Sequence, residues 1–119
     1  MKLPLRRLAP LALLVGAVWA GTAMLESFGG ERIGREMAGK AQSGDIVMLS
    51  SVTCVYCKEA RAYFKAHQVP FGECFIEKDA ACEAAYRALQ APGTPVLVVK
   101  GERQVGFNAE RVMQRLRRG

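Results

Sequence analysis

The sequence predicts a small α/β domain built on a four-stranded mixed sheet, and two features lead to that prediction. Short apolar runs and amphipathic segments follow one another in the order strand, helix, strand, helix, strand, strand, helix. A helix between the first two strands makes them parallel through a right-handed crossover, and a tight turn between the last two makes a hairpin. The predicted domain covers residues 45–119, near the lower size limit for a self-sufficient core.

The first half of this domain alternates strands with helices. Residues 46–49 are a continuous apolar run, which is typical of a strand buried on both faces. Apolar side chains spaced i, i+4, i+7 and i+8 predict a helix over 55–67. The second strand is predicted over 71–76, and Asp79 is a suitable N-cap for a helix that ends near Leu89.

The second half of the domain closes the sheet. A loop rich in proline and glycine precedes the third strand, over 96–99, and a tight turn over 100–103 leads to a fourth strand over 104–107. Asn108 is a suitable cap for the last helix. The apolar residues of that helix share one face: Val112, Met113 and Leu116.

The N-terminal segment, residues 1–25, has the pattern of an export signal or a membrane anchor. Lys2, Arg6 and Arg7 form a short positive head, and residues 8–25 are an uncharged, mostly apolar run. That run has about the 18 residues that can just span a bilayer. The positive head would hold the N-terminus inside. We therefore expect the rest of the chain to lie outside the cytoplasm, in a bacterial periplasm, either secreted or anchored to the inner membrane.

A polar stretch interrupted by glycines, residues 26–44, separates the apolar run from the predicted domain. This composition predicts a linker that tethers the domain. Ile33 and Met37 are spaced i, i+4, so a short helix is a second interpretation for part of it.

The net charge of +6 is distributed unevenly along the chain. Three positive charges belong to the N-terminal head, and four arginines lie near the C-terminus, where cations complement the negative end of a helix dipole. No basic patch interleaved with aromatic residues lies between them, which argues against a nucleic-acid partner. The C-terminal arginines are Arg111, Arg115, Arg117 and Arg118.

Cys54 and Cys57 carry the predicted chemistry. Cys54 falls at the start of a helix directly after a buried strand, where the helix dipole and unpaired N–H groups stabilise a thiolate. We expect Cys54 to attack a disulfide and Cys57 to resolve the mixed disulfide that forms. A Cys-x-x-Cys pair is also half of a metal site, so a copper or zinc carrier that uses the same cysteines is the alternative. A non-catalytic interaction domain is a third hypothesis.

Cys74 and Cys82 form a second pair, in the second predicted strand and in the first turn of the second helix. They are two small buried thiols, a second disulfide, which would stabilise the fold by about 2–3 kcal/mol, or a relay with the first pair. An oxidising compartment favours the disulfide. Because their spacing is not that of a zinc ribbon and His67 lies at the far end of the first helix from Cys54, neither a metal site nor a cofactor is predicted.

The element order, the run Cys54-Val55-Tyr56-Cys57 and the pair Thr94-Pro95 resemble the glutaredoxins, the compact members of the thioredoxin-fold superfamily. The resemblance covers the chain from Asp45 to about Leu116. It implies a thiol–disulfide oxidoreductase in which Pro95 is cis and faces the dithiol, while the backbone of Thr94 pairs with the substrate chain. The substrate-binding residues that it implies are Tyr56, Thr94, Pro95, Gly106 and Phe107.

Three departures from the glutaredoxin pattern bear on the substrate. Val55 replaces a common proline, and Ser51 stands where many glutaredoxins carry a lysine that meets the glutathione carboxylate. A neutral Asn108 stands among the positions that hold the glutamyl end. Protein thiols and disulfides are therefore the expected partners, with glutathione as the alternative. Whether the protein oxidises, reduces or isomerises its substrate stays open.

Overall fold

The computed structural model describes residues 5–119, apart from the side chains at positions 26 and 27, so Lys2 of the predicted positive head lies outside the described residues. The chain divides into two compact units, Met1–Glu31 and Arg32–Gly119.

The described part of the first unit lies within helix α1, which spans Leu5–Lys40 and contains Pro10. Its most apolar stretch is entirely exposed, and the helix is long and apolar enough to cross a membrane. A signal sequence has the same properties. The N-terminal apolar helix that the sequence predicts is therefore present.

The second unit begins earlier than predicted, because the last turns of α1 belong to it. Residues 26–44 were expected to be a tether, but the helix continues to Lys40. Met37 is fully buried and Ile33 packs against the core, so their i, i+4 spacing defines a buried face. Gly34 lies so close to the ring of His67 that a Cβ there would overlap it. Packing of this face outweighs the low helix propensity of the glycines.

The sheet of the second unit has four strands in the order β2-β1-β3-β4. Strand β1 pairs in parallel with β2 and antiparallel with β3, and β3 pairs antiparallel with β4. The predicted mixed sheet with a final hairpin is confirmed. The strands are β1 (Ile46–Ser50), β2 (Gly72–Phe75), β3 (Val96–Val99) and β4 (Glu102–Val105).

Strand β4 begins two residues earlier than the predicted range of 104–107. Lys100 and Gly101 both have positive φ values, 48° and 81°, and form a two-residue turn of the type that matches the twist of a hairpin. Because the turn needs only these two residues, Glu102 already pairs with Val99.

Three helices follow the strands: α2 (Val55–Ala66), α3 (Ala80–Ala88) and α4 (Ala109–Arg118). The predicted caps Asp79 and Asn108 are confirmed, since each side chain accepts a backbone N–H in the first turn of its helix. The core lies between the sheet, α2, α4 and the end of α1, and its largest buried side chains are Met37, Ile46, Met48, Phe64, Leu97, Met113 and Leu116.

Candidate functional site

Cys54 occupies the N-cap of α2. Its backbone is extended, and its Sγ accepts a hydrogen bond from the backbone N–H of Cys57, with 3.1 Å between nitrogen and sulfur. The oxygens of Asp79 and Asn108 take the same place at α3 and α4. A sulfur at this position faces the positive end of the helix dipole, which favours the thiolate over the thiol.

Cys54 and Cys57 form a disulfide, with their Cα atoms 5.2 Å apart. Cys54 is half-buried, whereas Cys57 is completely buried. A substrate can therefore approach the first sulfur more readily than the second. This difference in access fits the predicted roles, in which Cys54 attacks and Cys57 resolves.

A groove of about 270 Å³ is lined by Tyr56, which lies between the two cysteines in the chain. All five predicted substrate-binding residues line it, although they come from the start of α2, the loop before β3 and the loop after β4. Glu59 also lines it and was not predicted. The complete set is Tyr56, Glu59, Thr94, Pro95, Gly106 and Phe107.

The floor of this groove is fixed by backbone contacts. The Thr94–Pro95 peptide bond is cis, as the resemblance implies. Gly106 donates its N–H to the carbonyl of Pro95 at 2.9 Å, which holds the end of β4 against the proline. Gly106 has a φ of 77°, a conformation that favours glycine.

Three exposed apolar side chains surround Cys54. Val52, Val55 and Tyr56 are 54%, 66% and 68% exposed. Within the described residues 32–119, these are the exposed large apolar side chains. Such a cluster around one reactive group is typical of a contact surface for a partner.

A second cavity, of about 160 Å³, is lined by residues 51–55 together with Lys58 and Arg61. Of the two cations, Arg61 already has a partner: its guanidinium binds the carboxylate of Glu73 through two hydrogen bonds of 2.7 Å. Ser50 also donates to Glu73, at 2.7 Å. Lys58 is exposed, so it remains available to an anion at this cavity.

The ion pair between Arg61 and Glu73 ties α2 to β2, and the sequence did not predict it. Partial burial opposes ionisation of Glu73, but the hydrogen bonds from Arg61 and Ser50 together outweigh it and bring the pKa of Glu73 below its ordinary value of 4.5. Glu73 is therefore a carboxylate at neutral pH, and its charge neutralises Arg61.

Glu77 contacts the loop that leads to Cys54, and it too was missed. Its carboxylate accepts hydrogen bonds from the hydroxyl of Ser51 and, at 3.2 Å, from the backbone N–H of Val52. The hydrogen bond from Ser51 lowers the pKa of Glu77. The available signal was its position directly after the strand predicted over 71–76, because parallel strands end at the same edge of a sheet.

Cys74 and Cys82 come together as a second disulfide, with Cα atoms 5.7 Å apart. The bond joins β2, at the edge of the sheet, to the first turn of α3, where Cys82 is buried. The structure has this disulfide and not two free thiols. Within residues 5–119 every cysteine is paired, and no cluster of three or more His, Cys, Asp or Glu residues is arranged to hold a metal ion.

The sequence model of the glutaredoxin family matches residues 46–104, which include both cysteines of the motif and the cis-proline. A mutant of the thioredoxin-like protein BC3987 is 27% identical, with a TM-score of 0.55, over 62% of this chain and 96% of that one. No curated protein sequence matches the chain.

Two further solved structures share the fold. A glutaredoxin from Archaeoglobus fulgidus is 23% identical with a TM-score of 0.51, over 63% of this chain and 87% of that one. Methanoredoxin from Methanosarcina acetivorans is 22% identical with a TM-score of 0.52, over 66% and 90%.

The family match and the geometry agree on the same two residues. Cys54 and Cys57 lie at disulfide distance at the start of a helix in the matched segment, which supports a thiol redox function. Residues 46–104 are therefore similar to the glutaredoxin family, and the fold is that of thioredoxin-like proteins.

Proposed function

We propose that the protein is a thiol–disulfide oxidoreductase that exchanges disulfides with other proteins through Cys54 and Cys57. The observation that carries the proposal is the placement of the Cys54 sulfur at the N-cap of α2, in a half-exposed residue, with Tyr56 of the same motif lining the groove at Pro95. Helix dipole and N–H donor lower the free energy of the thiolate, which is the attacking species in disulfide exchange.

The reaction proceeds in two exchanges. In the reduced protein, the Cys54 thiolate attacks one sulfur of a substrate disulfide, and the S–S bond of the substrate breaks to release a thiolate that takes up a proton. The Cys57 thiol then loses its proton and attacks the Cys54 sulfur. The mixed disulfide breaks, the substrate leaves as a dithiol, and two electrons have passed from the protein to the substrate. Oxidation of a substrate dithiol follows the same steps in reverse.

A protein is favoured over glutathione as substrate by the surface around Cys54. The exposed side chains of Val52, Val55 and Tyr56 offer apolar contact area that an apolar polypeptide segment covers. Glutathione carries two carboxylates and no large apolar side chain. The groove residues named above include the acidic Glu59 and no cation that would pair with those carboxylates.

The proposed site of action lies outside the cytoplasm, with residues 8–25 as signal or anchor. Support comes from the exposed apolar helix, from Arg6 and Arg7 in its first turn before the apolar run, and from two disulfides, which persist in oxidising compartments. A reporter enzyme that is active only outside the cytoplasm, fused after Gly119, should be active in the full chain and inactive after deletion of residues 1–25. Equal activity without that segment would contradict this location.

The exchange activity is tested with the purified full chain and a protein disulfide substrate. We expect the wild type to accelerate substrate reduction by a dithiol, and to act more slowly on a mixed disulfide of glutathione. Cys57→Ser should accumulate a covalent complex with the substrate, visible by mass. A wild-type rate equal to the uncatalysed rate would sink the proposal, and metal retained by Cys54 and Cys57 would favour the carrier instead.

A further inference from the structure

We propose that Glu77 is a positioning residue for Cys54, and that the Cys74–Cys82 disulfide holds in place the segment that carries Glu77. The inference rests on the proposed exchange at Cys54. It goes beyond that exchange because it assigns the second disulfide and a carboxylate outside the groove to the reactivity of the first pair.

The sheet brings the two segments together. Strands β1 and β2 run parallel with Ser50 opposite Phe75, and the N–H of Ile76 donates to the carbonyl of Ser50 at 2.9 Å. Both strands therefore end side by side. The loop over residues 51–54 and the loop over residues 76–79 leave the same edge of the sheet.

The carboxylate of Glu77 spans the turn before Cys54. One oxygen accepts from the Ser51 hydroxyl and the other from the Val52 N–H. The carbonyl of Ser51 in turn accepts the N–H of Cys54 at 3.2 Å. Glu77 thus fixes the residue to which the backbone of Cys54 is bonded, and with it the alignment of the Cys54 sulfur toward the N–H of Cys57.

The second disulfide closes a ring of the chain that contains Glu77. Cys74 lies in β2 and Cys82 in α3, so the bond ties both ends of the intervening loop. Asp79 adds a local restraint, since it accepts the N–H groups of Ala81 and Cys82. A closed ring has fewer conformations than an open loop, which keeps Glu77 within reach of Ser51.

The position and the charge of Glu77 act on Cys54 with opposite signs. Its hydrogen bonds align the turn that stabilises the thiolate, whereas its negative charge near the sulfur destabilises the thiolate. The other charged residues at the Cys54 cavity are Lys58 and Arg61, and Glu73 neutralises Arg61. Lys78 lies beside Glu77 in the loop and faces the Phe75 ring.

The experiment measures the rate of Cys54 alkylation by iodoacetamide against pH in a Cys57→Ser background. There Cys54 is a free thiol without added reductant, so Cys74 and Cys82 stay bridged, and the backbone N–H at position 57 is retained. Into this background we place Glu77→Ala, which removes the bonds and the charge, and Glu77→Gln, which removes the charge but keeps one acceptor oxygen. Glu83→Gln is the matched control, because Glu83 pairs with Arg87 on α3.

We expect Glu77→Ala to slow alkylation at neutral pH by roughly three- to tenfold and to move the midpoint to higher pH, with Glu77→Gln between it and the parent and Glu83→Gln unchanged. Faster alkylation in both Glu77 variants would mean that charge dominates and would overturn the proposal. An unchanged profile in Glu77→Ala would overturn it as well, and if that variant did not fold, faster alkylation in Glu77→Gln alone would do so.

The disulfide arm of the proposal is tested in the same background with Cys74→Ala and Cys82→Ala together. We expect alkylation of Cys54 to slow by roughly twofold, in the same direction as Glu77→Ala. A profile identical to that of the parent would overturn the role given to the second disulfide. Because alkylation reports only the reactivity of Cys54, failure here is distinct from failure of the proposed function, which appears as absent turnover of a protein disulfide.

Discussion

The two disulfides of this protein are the same covalent bond in two different settings. Cys54 and Cys57 lie three residues apart at the start of a helix, with Cys54 half-exposed and the intervening Tyr56 lining a groove. Cys74 and Cys82 lie eight residues apart and staple an edge strand to a helix. The difference between them is one of helix position and access, which shows that the surroundings of a cysteine, and not its presence, determine its chemistry.

The helix caps sharpen this comparison. Asp79 caps α3 with a carboxylate and Asn108 caps α4 with an amide oxygen, whereas Cys54 caps α2 with sulfur. An oxygen at the N-cap contributes only to the stability of the helix. A sulfur in the same position accepts the same kind of hydrogen bond and is in addition a nucleophile that the helix activates.

The largest expected effect is that of Cys54→Ser. We expect the rate of protein disulfide exchange to fall by roughly a thousandfold or more, since the attacking thiolate is lost. The free energy of unfolding should stay close to that of the protein in which the Cys54–Cys57 disulfide is reduced, because serine is itself a good N-cap. Enzyme assays measure the exchange rate and denaturant unfolding measures the stability. If Cys54→Ser kept its activity, Cys54 and Cys57 would not be the reactive pair.

Replacing both Cys74 and Cys82 by alanine should lower the stability of the protein and have only a small effect on its exchange activity. Loss of the ring that the Cys74–Cys82 disulfide closes lowers the free energy of unfolding by about 2–3 kcal/mol. The exchange rate should fall by no more than severalfold, through the loosened loop. Denaturant unfolding without reductant gives the first value and the enzyme assay gives the second. If this variant were as inactive as Cys54→Ser, the second pair would have to belong to the catalytic cycle.

The ion pair that ties α2 to β2 predicts a dependence of stability on pH. The pKa of Glu73 lies below its ordinary value of 4.5, so its stabilising contribution is complete above that value and is lost as the pH falls through the lower pKa of the folded state. Glu73→Gln should cost about 1–3 kcal/mol at neutral pH. The difference in free energy of unfolding between the wild type and Glu73→Gln should become smaller in acid. Urea unfolding at several pH values measures this difference. A difference that does not change with pH would contradict the stabilising role given to the Glu73 carboxylate.

The smallest expected effect concerns the apolar surface beside Cys54. Val55→Ser should raise KM for a protein disulfide by roughly fivefold, about 1 kcal/mol of lost apolar contact, and leave a small-molecule disulfide unaffected. Ala84→Ser, at an exposed position on α3, is the control. Equal changes for both substrates would show that Val55 acts on the cysteines and not on substrate binding.

Most of the fold follows from patterns local in sequence. Apolar runs, caps and proline positions predict the order of the elements, and the helix caps at Asp79 and Asn108 are where the sequence placed them. The two discrepancies come from interactions that are not local. Lys100 adopts a positive φ that only the paired hairpin reveals, and Met37 holds a glycine-rich segment in a helix by packing in the core.

Only those residues of the candidate site that belong to a recognisable motif could be predicted from the sequence. The cysteines and the groove residues follow from the Cys-x-x-Cys spacing and the resemblance that it supports. Glu59, Glu73 and Glu77 do not follow from the motif, and of the three only Glu77, directly after the predicted second strand, had a positional signal. The partners of Glu73 and Glu77 are set by the register of β1 against β2, which the sequence does not specify.

The most direct test of the central claim is a redox titration of the full chain, with alkylation and mass analysis at each potential. The account predicts a two-electron transition at Cys54 and Cys57 between about −120 and −270 mV, with Cys74 and Cys82 still bridged until the potential falls below about −300 mV. A chain in which Cys74 and Cys82 are reduced first, or in which Cys54 and Cys57 show no transition, would contradict it.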